Sequence, residues 1–111
     1  MADMDRRVRL TMLFDLYAPL MTAHRRELLR LYCEEDLSLT EIAEQMQITR
    51  QGVSDAVSKA ERQLEEYEAA LGMLQRGLDT ARAAREGLDA LTRQDAKTVA
   101  EALEEILRLQ G

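Results

Sequence analysis

Seven polar residues between positions 50 and 62 have the types and spacing to touch a nucleic acid. Arg50, Gln51, Ser54, Asp55, Ser58, Lys59 and Arg62 recur at steps that place them on one side of a helix. Arg50 and Gln51 can read base edges, and Lys59 and Arg62 can meet phosphate. Asp55 is the exception, a repulsive charge among them. A second group of cations, Arg6, Arg7, Arg9, Arg25 and Arg26, lies near the N-terminus. Arg25 and Arg26 fall in the first turns of a helix, where the dipole disfavours positive charge. That placement suits RNA phosphate or an acidic protein. The competing account is a solvated face paired with Asp3, Asp5, Asp15 and Glu27.

The elements around the first group read as a helix-turn-helix. Ser38 and Glu41 have capping-box spacing, so a helix starts after Ser38. Leu39, Ile42, Ala43 and Met46 form its inner face, with Ala43 small where the next helix crosses. Gln47 and Ile48 make the turn, and Ile48 is expected to plug the gap between the helices. Thr49 caps the next helix, whose first two turns face the target in this motif. Charge argues against tight, non-specific DNA binding. From Ser38 to Glu66, Arg50, Lys59 and Arg62 stand against Glu41, Glu44, Asp55, Glu61, Glu65 and Glu66.

Val53, Val57, Ala60, Leu64, Tyr67, Leu71, Leu74, Leu78 and Ala81 alternate in steps of four and three. The pattern predicts one continuous helix from about Arg50 to Arg85 with a coiled-coil-like seam, despite Gly72 and Gly77. Gly87 ends it, and a loop through Thr92, Arg93 and Gln94 follows. An apolar seam of that length needs cover from the last helix, from another chain, or from both. Val57, Leu64, Tyr67, Leu71, Leu74 and Leu78 are therefore expected to serve a helix seam or a homodimer.

The remaining segments are also helical. Val8, Met12, Leu13, Leu16, Tyr17 and Leu20 predict a first helix from Arg6 to Tyr17, ended by Pro19. Thr22 caps a second, with Leu28, Leu31 and Tyr32 inward, which fades at Glu34, Glu35 and Asp36. Asp95 caps a last helix with Val99, Leu103, Ile106 and Leu107 as its apolar face. Phe14, Tyr17 and Tyr32 read as core, and Met12, Met21 and Met46 as gap fillers. With four Val, three Ile and no strand-length alternation, the chain is expected to be all-α, with five helices.

Length and composition narrow the function. One domain's worth of chain, 111 residues, carries a net charge of −6. His24 and Cys33 are the only histidine and the only thiol, too few for a metal cluster, and no cofactor is expected. Gly-rich phosphate loops and nucleophile–base pairs are absent, so the chain reads as no enzyme. A single cysteine and no apolar run of membrane-spanning length predict a cytoplasmic protein without membrane insertion.

Three blocks carry a family resemblance: LFDLYAPLMT at 13–22, LSLTEIAE at 37–44, and ITRQGVSDAVSKAERQLEEYEAALGM at 48–73. They resemble the YlxM-like helix-turn-helix proteins over about residues 1 to 75, and weakly beyond Gly77. The resemblance implies a motif similar to region 4 of sigma factors. It also implies a bacterial cytoplasmic accessory or regulator of the signal recognition particle pathway, binding the particle's GTPase, its RNA, or both. The family usually has glycine where Gln47 stands, often an aromatic at Ser54, and a basic residue at Ser58. Residues 1–72 are expected to form the helix-turn-helix domain, and 73–111 a C-terminal helical extension packing on or beside it. Two alternatives stand beside this reading. One is a DNA-binding transcription regulator that reads duplex with Arg50, Gln51 and Ser54. The other is a structural dimer whose motif has no nucleic-acid role.

Overall fold

Asp5 opens the first helix by accepting from the backbone N–H groups of Arg7 and Val8. The computed structural model describes residues 5–111, and it is all-helical, with no strand among the described residues. Helix α1 (Arg6–Tyr17) ends at a single 3₁₀ turn, Ala18–Leu20, that holds Pro19. Thr22 caps α2 (Ala23–Leu29), which widens into a π-helical turn at Arg30–Glu34. Next come α3 (Leu39–Met46), α4 (Arg50–Leu71), α5 (Met73–Thr92) and α6 (Ala96–Leu109).

The expected single long helix is two, which raises the count from five to six α-helices among the described residues. Gly72 has φ +63° and ends α4, while its carbonyl accepts from the Arg76 N–H to start α5. A heptad pattern runs through such a break unchanged, because the apolar spacing is blind to φ. Gly87, expected to end the helix, lies inside α5 instead. A Cβ there would stand 3.3 Å from the Ala102 Cβ, so Gly87 marks a close approach of α6. The chain divides into two compact units, one ending at Leu71 and the other spanning Gly72–Gly111.

The first unit packs α1, α2 and α3 against α4. Its core is Leu10, Leu13, Phe14, Tyr17, Met21, Leu28, Leu29, Leu31, Ile42, Ala43, Val53, Val57, Ala60 and Leu64. On α1 the inner face is Leu10, Leu13, Phe14 and Tyr17, whereas Val8 and Leu20 are exposed, contrary to expectation. Tyr17 and Tyr67 stack at a tilt, 5.8 Å between centroids. The Tyr67 hydroxyl donates to the Leu20 carbonyl, which fixes the 3₁₀ turn against α4.

The second unit is an antiparallel hairpin of α5 and α6. Asp95 caps α6 through the Thr98 N–H (3.1 Å) and hydroxyl (2.6 Å), as its position foretold. Small residues meet between the helices: Ala83 and Ala90 from α5, Ala102 from α6, all buried.

Candidate nucleic-acid interface

The caps and the turn of the helix-turn-helix are in place. The Glu41 N–H donates to Ser38 Oγ at 3.1 Å, and Glu41 Oε1 accepts from the Ser38 N–H at 2.9 Å. These bonds hold the Glu41 carboxylate below its ordinary range, the backbone N–H of Ser38 being the larger cause. Gln47 ends α3 in the left-handed region, φ 58° and ψ 45°. The Ile48 N–H then returns to the Ala43 carbonyl. Thr49 opens α4, its hydroxyl accepting from the Gly52 N–H at 2.9 Å. Ile48 does not plug the gap between the helices, being 41% exposed.

Gln47 is exposed and gains no packing that would offset its backbone strain. Gln47→Gly is therefore expected to stabilise the chain by about 0.5–1 kcal/mol, the left-handed penalty less the extra freedom glycine gives the unfolded chain. Urea unfolding measures this, and an unchanged or lower midpoint would contradict it.

The α4 face turned away from the core holds all seven residues singled out above. Arg50, Gln51, Asp55, Ser58, Lys59 and Arg62 are exposed, and Ser54 is half-buried. Gln51 donates to Asp55 Oδ1 at 3.0 Å, which occupies both residues. Arg50, Lys59 and Arg62 make no ion pair among the described residues.

The N-terminal arginines have a different fate. Arg6 donates twice from Nε to Glu61, at 2.9 and 3.2 Å. Arg7 donates to the Tyr32 carbonyl and to Asp36, and its guanidinium lies 4.2 Å above the Tyr32 ring. Arg9 grips Glu65 with two bonds, at 2.7 and 2.8 Å. Arg25 donates to Gln63 and Arg26 to the Met21 carbonyl. None of these partners is among Asp3, Asp5, Asp15 and Glu27. Asp3 lies outside the described residues, Asp5 caps α1, and Glu27 pairs with Arg30. Arg6 and Arg9 instead clasp α1 to α4, a long-range pairing with no signal in the local sequence.

The clasp has a pH signature. Hydrogen bonding from Arg9, opposed by desolvation, holds the Glu65 carboxylate below its ordinary 4.5. Glu27, held down chiefly by the hydrogen bond from Arg30, is displaced in the same direction. A depressed carboxylate contributes stability that is fully present above its unfolded value and lost as pH falls through its folded value. The urea midpoint is expected to decline below about pH 4.5. The gap between wild type and Glu65→Gln should close over the same range. A gap constant from pH 7 to 3 would contradict the clasp.

One feature escaped the sequence. Arg6, Arg7, Tyr32, Ser54, Ser58 and Glu61 line a hollow of about 440 Å³. The hollow thus joins the two candidate groups, because the fold lays the start of α1 beside the outer edge of α4. It opens beside Ser54 and Ser58, whose side chains are small. Space of this size suits a nucleotide or a partner side chain.

Of the two lone residues, His24 is exposed and Cys33 half-buried, and burial pushes the Cys33 thiol up. Among the described residues, no three His, Cys, Asp or Glu side chains are grouped to hold a metal ion. No helix among them is long and apolar enough to cross a membrane.

The family model described as "Putative helix-turn-helix protein, YlxM / p13 like" matches residues 4–106. It reaches past the region of about residues 1 to 75 where the motifs are dense. A UPF0122 protein of Clostridium botulinum is 41% identical over 75 residues, 68% of this chain and 69% of its own. Another, from Symbiobacterium thermophilum, is 39% identical over 95 residues, 86% of this chain and 89% of its own. A third, from Bacillus mycoides, is 35% identical over 108 residues and covers 93% and 98%. The helix-turn-helix built by α3 and α4 agrees with that description, and the chain belongs to the YlxM/p13-like helix-turn-helix family.

Proposed function

We propose that the chain is a non-enzymatic accessory protein of the signal recognition particle pathway that binds the particle's RNA through α4. The observation that carries this is the contrast between two sets of cations. The N-terminal arginines are engaged by partners within the first unit, while Arg50, Lys59 and Arg62 on α4 are exposed and make no ion pair among the described residues. An exposed cation without a counter-charge is free to neutralise phosphate. The place in the pathway follows from the family resemblance.

RNA is preferred to duplex DNA for two reasons. Three cations beside Asp55 and Glu66 give a weak field for tracking a duplex. The hollow beside Ser54 and Ser58 suits an unstacked nucleotide, the form in which RNA presents its bases. The particle's GTPase is the other candidate partner, through the same face.

Titrating the purified chain against the assembled particle tests this reading. Saturable binding at moderate salt that the RNA alone reproduces is the expected result. Absence of binding would overturn it, and binding to the GTPase alone would move the contact to protein.

A further inference from the structure

The α5–α6 hairpin exposes one apolar face. Leu88 and Leu91 on α5 are 66% and 62% exposed, and Leu103 and Leu107 on α6 are 57% and 72% exposed. Leu91, Val99 and Leu103 line one apolar hollow of about 420 Å³, so both helices contribute to the same surface. Leu88 precedes Leu91 by three residues and Leu107 follows Leu103 by four, which extends that surface one turn along each helix. Ala84 continues it on α5, and the polar residues at the hollow are Gln94 and the α6 cap Asp95, at the loop end. Only Ala102 of α6 is fully buried, so the hairpin covers little of its own apolar side. A soluble chain seldom leaves four leucines on one face in water.

We propose that this face binds the same face of a second copy, making a four-helix bundle of two hairpins. The edges of the face supply the argument for a second copy. The Gly87–Ala102 contact and the hydrogen bond from Gln110 to Thr80 set the register of α5 against α6. In that register Arg85 and Glu104 stand at the same level. Each lies on the outer edge of the leucine face, Arg85 on α5 and Glu104 on α6. Both are exposed, and neither has an ion-pair partner among the described residues. A two-fold axis along the bundle places α5 of one copy beside α6 of the other at the same level. Arg85 then meets Glu104 of the second copy, and the symmetry repeats the pair. All neighbouring helices run antiparallel, as in an up-down bundle. Val57 and Leu64, which the sequence offered for a homodimer, are buried inside the first unit and take no part.

Dimerisation through this face does not require nucleic-acid binding by α4, so either can fail alone. The test is sedimentation equilibrium on the full chain and its variants, with circular dichroism on each. Wild type should sediment at twice 12.7 kDa. Leu103→Glu with Leu107→Glu should sediment as a monomer with its helical signal kept. Arg85→Glu and Glu104→Arg should each weaken the dimer about tenfold or more, since like charges then face each other. Combining the two should restore it to within about threefold of wild type. Both changes are on exposed side chains, so this arm holds even if the leucine variant unfolds. A monomeric wild type, or a charge-swapped double variant as weak as its parents, would overturn the proposal.

Discussion

Leu64→Ala is expected to destabilise the first unit by about 3–4 kcal/mol, read from the urea midpoint and slope. Leu64 has no exposed surface, and it sits on the α4 face that α1 and α2 cover. Removing its branched end takes away the transfer free energy and leaves a cavity that the clasped helices cannot close. A loss of that size is a large share of the roughly 5–15 kcal/mol that holds a small domain together. Ile48→Ala supplies the contrast. Ile48 is 41% exposed, and its truncation should cost under about 1 kcal/mol. Equal losses at the two positions would mean that α4 is not seated as described.

The second large effect is on binding. Replacing Arg50, Lys59 and Arg62 together with alanine should lower affinity for the particle's RNA about 100-fold at 0.1 M salt. Three phosphates, each contributing about 0.7 to the salt exponent on single strands, give a slope near −2. Over the decade from 1 M to 0.1 M salt that slope is worth about two orders of magnitude. The same substitutions should leave unfolding nearly unchanged, because all three side chains are exposed and make no ion pair among the described residues. The N-terminal arginines should behave in the opposite way. Arg9→Ala removes both bonds to Glu65 and should register first in stability.

The sequence carried the local devices and missed the long-range ones. Ser38 with Glu41, Thr22, Thr49 and Asp95 are caps whose meaning lies within three residues, and each was legible. So was the buried stripe Val53, Val57, Ala60 and Leu64, because a helix face follows from spacing alone. The strain at Gln47 was legible too, since the family resemblance puts glycine there. The break at Gly72 was not. Gly72, Gly77 and Gly87 look alike in sequence, yet one ends a helix, one stays helical with open space around it, and one makes room for Ala102.

Pairing across the chain was equally hidden. Arg6 with Glu61 and Arg9 with Glu65 lie more than fifty residues apart, and every carboxylate nearer in sequence was a rival. The hollow beside Ser54 and Ser58 depends on the same closure of α1 onto α4. In the hairpin, the apolar pattern of α6 was visible but its orientation was not. Ala102, too small to attract notice, faces α5, while Leu103 and Leu107 point outward. The run Ala83, Gly87, Ala90 at steps of four and three was the available signal for that close crossing.

The central claim is that the free cations of α4 hold RNA. Its most direct test is a salt-series titration of fluorescent particle RNA with wild type and the Arg50, Lys59, Arg62 triple alanine variant, beside duplex DNA of equal length. The account predicts saturable RNA binding with a log–log slope near −2, a near-zero slope for the triple variant, and weaker binding of duplex. Equal RNA affinity for the two proteins, or duplex bound as tightly as RNA, would contradict it.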